Sequence, residues 1–334
     1  MEKRIFNKII LAAALAAGFG LPLAHAQGSQ PIVGGKSGDW LFTPYEFALK
    51  SDAQDTQATV QMLEKANALF ARSGIALAVV IVPSKVRIHA DQLPASHPLD
   101  AYTADKYDNI VKALTAGGVT VINLNQAFLA SPHRQSDTPL FLRLDTHWAP
   151  SGAMLAAETI KAGIDASSTL KTALAATPAE KFDLAWAKQK SNTRARDLVR
   201  LMPAGSPAFP PEQILSFKVS KASANQAGLL GGGDNVGITV IGSSYTNKNT
   251  GYPDAIRYIL QRELLDISLP VDQGPWYGMD AYLRDDAFKT RKPKLIIWEI
   301  PEREFRSPPN NKYRDPRYVI DNNEWVSRIT DLLK

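Results

Sequence analysis

Two short stretches carry the side chains best suited to chemistry. Asp145-Thr146-His147-Trp148 offers a carboxylate and an imidazole two residues apart, and Gly242-Ser243-Ser244-Tyr245 offers hydroxyls about a hundred residues later. A serine hydroxyl is a weak nucleophile until a base removes its proton. Imidazole does this best when a carboxylate fixes its tautomer and steadies its positive charge. Together the two stretches predict an activated oxygen nucleophile. Each also has a plainer reading. A serine after a glycine at a strand end is often a turn residue, and Asp-x-His can be an aspartate-stabilised turn or a pair of metal ligands. A metal needs further ligands, and His89, His97 and His133 lie in Pro-containing loops without paired spacing. With 0 Cys there is no thiolate either, so no metal site is expected.

The elements that must position these residues alternate between two hydrophobic periods. Residues 55–73 place Val60, Leu63, Ala66, Leu69 and Phe70 at helical spacing, and 75–82 is a continuous apolar run between Gly74 and Pro83, the pattern of a strand buried on both faces. A helix over 107–114 and a strand over 119–124 follow. Residues 140–144 read as a short strand running into Asp145, and 151–164 as a helix with Pro150 at its start. Residues 165–235 read as an irregular excursion with Ala/Lys-rich and Pro-rich stretches, punctuated by Gly231-Gly232-Gly233-Asp234. A strand over 238–241 then enters the Gly-Ser-Ser-Tyr turn, a helix spans 253–265, and 294–300 is a last buried strand. Near the start, the Gly-rich segment 34–39 lacks P-loop spacing and reads as a tight turn that lays Trp40, Leu41 and Phe42 on the core. Strands alternating with helices predict an α/β fold, a three-layer sandwich around a mostly parallel sheet. Ligands of such sheets sit beyond the carboxyl ends of the strands, where both reactive stretches fall.

Composition bounds the setting. Lys3, Arg4 and Lys8 precede an apolar stretch over 9–23 and a small-x-small site at Ala24-His25-Ala26. This is the layout of a signal peptide over 1–26, cleaved near Ala26, and it leaves residues 27–334 as an exported chain long enough for one large α/β domain or two small ones. The apolar core is too short for a spanning helix, which needs about 20 residues. Without cysteines the exported chain must rely on a packed core. The net charge of +5 is mild and lacks the basic patterning of a nucleic-acid binder.

The motifs together resemble the SGNH-hydrolase-like exopolysaccharide O-acetyltransferases, the AlgX/AlgJ-like group with its cellulose-acetylating, WssI-like relatives. Five blocks in order carry the likeness: Gly38-Asp39-Trp40-Leu41-Phe42, Val82-Pro83-Ser84-Lys85, Asp145-Thr146-His147-Trp148-Ala149-Pro150-Ser151-Gly152, Gly242-Ser243-Ser244-Tyr245, and Ile297-Trp298-Glu299-Ile300-Pro301-Glu302-Arg303. The resemblance implies Ser244, rather than Ser243, as nucleophile, His147 as base and Asp145 as its orienter, in the circularly permuted motif order of that group. It also implies a polysaccharide acceptor and an acetyl donor relayed from a membrane-bound O-acyltransferase, with no cofactor. Larger members carry a C-terminal carbohydrate-binding module, whereas this chain ends about thirty residues after Arg303. Polymer grip is therefore expected from the catalytic domain or a partner, and alginate-type and cellulose-type acceptors both stay open. Around the site, Tyr245 and Lys85 are candidates to line the cleft, and Trp148 is either a sugar platform or a core indole. Arg303 either shapes the acceptor groove or forms a structural ion pair with Glu299, the favoured reading. Two other functions share these residues: a secreted carbohydrate acetylesterase with the same triad, and a non-catalytic polysaccharide-binding scaffold.

Overall fold

A computed structural model describes residues 31–222, 237–270 and 272–334. The expected leader over 1–26 and the Gly231–Asp234 punctuation lie outside the described residues. Five parallel strands make the central sheet: β1 (Ala76–Val82), β2 (Val121–Asn123), β3 (Ile238–Gly242), β4 (Leu265–Ser268) and β5 (Leu295–Pro301), in the order β4-β3-β5-β1-β2. The last strand in sequence thus lies at the centre of the sheet.

Strand alternation sorts the core into two layers. Ala78, Val80, Val240, Leu295 and Ile297 face α3 (Pro150–Ala166) and α4 (Tyr252–Leu260). Their neighbours Leu77, Val79, Ile296 and Trp298 face the other way. On that side they meet α1 (Ala53–Arg72), α2 (Ala101–Ala116), α5 (Gly274–Arg284) and α6 (Asn322–Leu333). Burial on both faces explains why β1 and β5 read as unbroken apolar runs. The fold is the expected three-layer α/β sandwich. Leu41 and Phe42 are buried as expected, and pair antiparallel with Val33–Gly34.

Three features depart from the sequence reading. Residues 140–144 are not a sheet strand. They form one leg of a tight loop, joined to its other leg by the bridge Phe141–Trp148 and by Leu142 N–H donating to the His147 carbonyl (3.0 Å). Leu140, Phe141, Leu142 and Leu144 are all buried, so the run is apolar because it plugs the core beneath the site, which periodicity alone does not distinguish from a strand. The expected helix over 253–265 stops at Leu260 because Gln261 takes a left-handed conformation, and Leu265 begins the edge strand β4. Part of the excursion is also ordered. Phe182–Trp186 pairs antiparallel with Phe217–Lys221, and a helical turn spans Asp197–Arg200.

Candidate active site

The carboxyl ends of β1, β3 and β5 lie side by side, and each hands its chain to a turn bearing polar side chains. β3 runs into the turn Ser244–Thr246, β1 into Ser84 and the turn Lys85–Ile88, and β5, which carries Glu299 near its end, into the turn Glu302–Arg306. The loop carrying Asp145 and His147 is drawn to the same edge.

Asp145, His147 and Ser244 meet in one chain of hydrogen bonds. The Ser244 Oγ lies 2.8 Å from His147 Nε2, and His147 Nδ1 lies 2.7 Å from Asp145 Oδ1. A carboxylate accepts only, so the network puts the ring proton on Nδ1 and leaves the Nε2 lone pair for the serine hydroxyl. Asp145 and His147 do not share a face of an extended strand. They meet because the backbone turns between them, and Asp145 Oδ1 also accepts the His147 N–H (3.1 Å). The Asp145 side chain is only 4 % exposed, against 22 % for His147, so the relay opens to solvent at its imidazole end. Burial alone would push the Asp145 carboxyl up. The His147 ring beside it, with the N–H groups of Asp197 and His147, holds it down at about 2. Such a geometry suits proton transfer from Ser244 Oγ to His147 Nε2, with Asp145 ionised throughout the neutral range.

The choice between the two serines follows from Glu299. Fully buried, it accepts Ser243 N–H (2.7 Å), Ser243 Oγ–H (3.0 Å) and Thr246 Oγ1–H (3.0 Å). Ser243 is thereby turned inward, while Ser244 faces the imidazole. Gly242 completes the clamp, since a Cβ there would lie 2.3 Å from Glu299 Oε2 and 2.4 Å from Thr246 Oγ1. Burial pushes the Glu299 carboxyl up to about 7 despite these donors. The expected Glu299–Arg303 ion pair is not formed. Glu299 is committed to the serine turn, and Arg303 instead reaches Glu46 Oε1 and Tyr245 Oη, both at 3.4 Å.

The other residues expected to line the cleft are core residues. Trp148 is 1 % exposed and packs against Tyr245 and Tyr252, so its indole offers no face to a sugar. Tyr245 is equally buried; its ring lies 5.1 Å from that of His147 and its hydroxyl donates to the Thr146 carbonyl (2.6 Å). Arg303 is buried over the faces of Tyr45 and Tyr245. Lys85 points inward to backbone carbonyls rather than into the cleft. All four support the site from below, and none of them contacts solvent enough to grip a polymer.

One residue of the site escaped the sequence reading. Asp197, from the excursion, donates its N–H to Asp145 Oδ2 (2.8 Å) and accepts Thr146 N–H at Oδ1 (2.8 Å), while its Oδ2 pairs with the Thr146 hydroxyl. Burial and the neighbouring Asp145 charge raise its carboxyl. No local motif marks it, because its role depends on a chain reversal some fifty residues long. Among the described residues, Asp145, His147 and Asp197 are also the one group with ligand atoms close enough for a metal, within 4.8 Å of one another. Both oxygens of Asp145 already accept N–H groups, and the Nδ1 of His147 is bonded to one of them. His89 is buried against Trp40 and pushed down to about 3, and His97 and His133 are exposed in separate loops.

A family profile described as "SGNH hydrolase-like domain, acetyltransferase AlgX" matches residues 32–302. The chain belongs to that family. Within it, the probable alginate O-acetylase AlgJ of Pseudomonas aeruginosa is 27% identical over 293 residues, covering 83% of this chain and 71% of the relative. Its counterpart from Pseudomonas syringae pv. tomato is 25% identical over 300 residues, covering 88% and 74%. The solved O-acetyltransferase domain of Pseudomonas putida AlgJ shares the fold with a TM-score of 0.72 at 22% identity, over 90% of this chain and 99% of that domain. Pseudomonas aeruginosa AlgX does so at 0.62 and 15%, over 85% and 69%. The sandwich is therefore the SGNH-hydrolase-like fold of this family, and the enzyme class is the family's, an O-acetyltransferase.

Proposed function

We propose that the protein transfers an acetyl group, through an acetyl-serine on Ser244, to hydroxyls of an exopolysaccharide in the periplasm. The observation that carries this reading is the continuous relay Ser244–His147–Asp145, at 2.8 Å and 2.7 Å. His147 Nε2 takes the Ser244 proton as Oγ bonds to the donor's acetyl carbon. The oxyanion forms beside the Ser244 N–H, a type of contact worth about 3 kcal/mol per donor. Collapse expels the donor's leaving group, which takes the proton from His147. A sugar hydroxyl then gives its proton to the same nitrogen and attacks the acetyl carbon. The second collapse releases the sugar ester and returns the proton to Ser244.

The relatives named alginate O-acetylases favour an alginate-type acceptor, with a cellulose-type polymer as the next candidate. The donor is relayed by a membrane-bound O-acyltransferase partner, and no cofactor enters the steps. Residues 27–334 act as one catalytic domain, exported by a leader cleaved after Ala26. No helix among the described residues is long and apolar enough to cross a membrane. N-terminal sequencing of the exported protein should begin at Gln27.

The partial exposure of His147 supports a second reading, in which water takes the acetyl group. Incubation with a chromogenic acetyl ester and either oligoalginate or cello-oligosaccharides separates the two. Acetylated sugar in the mass spectrum, absent with Ser244→Ala, is expected. Acetate alone, with no sugar ester from either acceptor, would establish the esterase. A non-catalytic scaffold would instead require Ser244→Ala and His147→Ala cells to acetylate their polymer fully.

A further inference from the structure

Lysine is rarely buried without a carboxylate partner, because its charge costs several kcal/mol to desolvate. Lys85 is 1 % exposed, and no carboxylate forms an ion pair with it among the described residues. Its three ammonium N–H groups go instead to three backbone carbonyls, those of Leu41 (2.7 Å), Arg143 (2.9 Å) and Asp145 (3.0 Å). The rings of Trp40 and Phe42 lie 5.3 Å from the same nitrogen. The donor capacity of the group is thus used up.

The identity of the three acceptors gives this burial its meaning. Lys85 begins the turn that follows β1, so it is fixed to the rigid centre of the molecule. Arg143 and Asp145 belong to the loop that carries His147, which has no strand of the central sheet to hold it. Asp145 is consequently held at two places, its carbonyl by Lys85 and its carboxylate by His147 and the Asp197 N–H. We infer that Lys85 is a positioning residue for the acyl-transfer relay, a charged peg that ties the Asp145 loop to the end of β1 and so fixes where His147 meets Ser244. This inference rests on the proposed role of Ser244 and His147.

A peg made of an ammonium depends on its proton. The charged groups around it are Glu46 from the turn Pro44–Glu46, Asp145 from its own loop, Asp197 from the turn Asp197–Arg200, and Glu212 just before Gln213–Ile214. Arg143 on the Asp145 loop and neutral His89 on the turn Ala90–Gln92 side complete its surroundings. Burial pulls the Lys85 ammonium down to about 8 against the four carboxylates. Above that pH it loses one of its three donors, and one of the three carbonyls loses its contact with Lys85, although that of Arg143 also accepts the Leu41 N–H (2.9 Å).

Single-turnover transfer from a chromogenic acetyl ester, followed from pH 6 to 10, tests this. The wild-type protein should lose rate as pH rises through 8, and the low-field Nδ1–H proton resonance of His147 should shift over the same range. At pH 7, Lys85→Met should lower kcat by about a hundredfold, the scale set by a misplacement of about 1 Å, with KM for the acceptor within twofold. In any folded Lys85→Arg protein, whose charge does not titrate here, the alkaline loss should vanish. A folded Lys85→Met or Lys85→Arg protein with wild-type kcat and the same alkaline loss would overturn the inference. So would a wild-type rate and His147 resonance unchanged through pH 8, which needs no variant. Ser244→Ala keeps the two ideas apart. If it retains full activity, the acetyl-serine reading fails. If it is inactive while the Lys85 tests fail, only the role of Lys85 falls.

Discussion

Asp145 accepts from both the backbone and the ring of His147 through one oxygen, so even an isosteric change there disturbs the relay. Asp145→Asn must turn its amide toward one of its N–H donors, and the ring then loses its tautomer. A roughly ten-thousandfold fall in kcat is expected, with little change in acceptor KM, read by steady-state kinetics. Glu299 gives a different signature. Its folded carboxyl is raised to about 7 from 4.5, so the folded protein holds that proton more tightly than the unfolded chain. The resulting stability is full below about 4.5 and is lost as pH rises through 7, a change of about 3 kcal/mol. Urea unfolding at pH 4.5 and pH 7 should show that change in wild type minus Glu299→Gln, because glutamine does not titrate. A pH-independent difference would mean that the fold leaves the Glu299 carboxyl at its ordinary value. At this scale the sequence was partly legible. The reactive types and their spacing named Asp145, His147 and a serine, but the burial of Trp148, Tyr245, Lys85 and Arg303 was not. Side chains that can bind sugar and side chains that brace a loop are the same side chains; only the direction they point separates them.

At the scale of elements, what could be read was what periodicity encodes. β1, β5 and α1 stood out because their apolar spacing is imposed by the layers around them. The Asp145 loop, equally apolar, imitated a strand. α6 carries Trp325, Ile329 and Leu333 four residues apart and was legible in principle, whereas the four-residue β4 is too short to show a period. The ordered ribbon of the excursion depends on pairing between residues more than thirty positions apart, beyond any local window. It leans on the start of α4 at Gly251, whose φ is +78° and where a Cβ would lie 2.9 Å from Phe217 Cζ. Gly251→Ala should cost about 1–2 kcal/mol from the backbone alone. Thermal unfolding should show the loss, together with earlier proteolysis within residues 182–221.

Across the whole molecule, both helical layers share one sheet. Trp148 lies in one layer, while Trp276, Trp298 and Trp325 lie in the other. With 0 Cys, no covalent link adds to this packing. Tryptophan fluorescence and far-UV circular dichroism should therefore report one coincident unfolding transition, and Ile297→Ala should lower it by about 2–5 kcal/mol as a buried truncation. Two separated midpoints would show that the layers unfold independently.

The central place of β5 has a consequence for when the protein becomes reactive. β3, which delivers Ser244, and β1, which anchors the Asp145 loop, do not touch each other in the sheet; β5 is the strand between them. It also supplies Glu299, which aims the serine turn. Neither the sheet nor the turn that carries the proposed nucleophile is complete until residues 295–301 pair between β3 and β1. A chain whose central strand has not docked lacks the carboxylate that turns Ser243 inward, so the proposed nucleophile is sorted from its neighbour only at the step that closes the sheet.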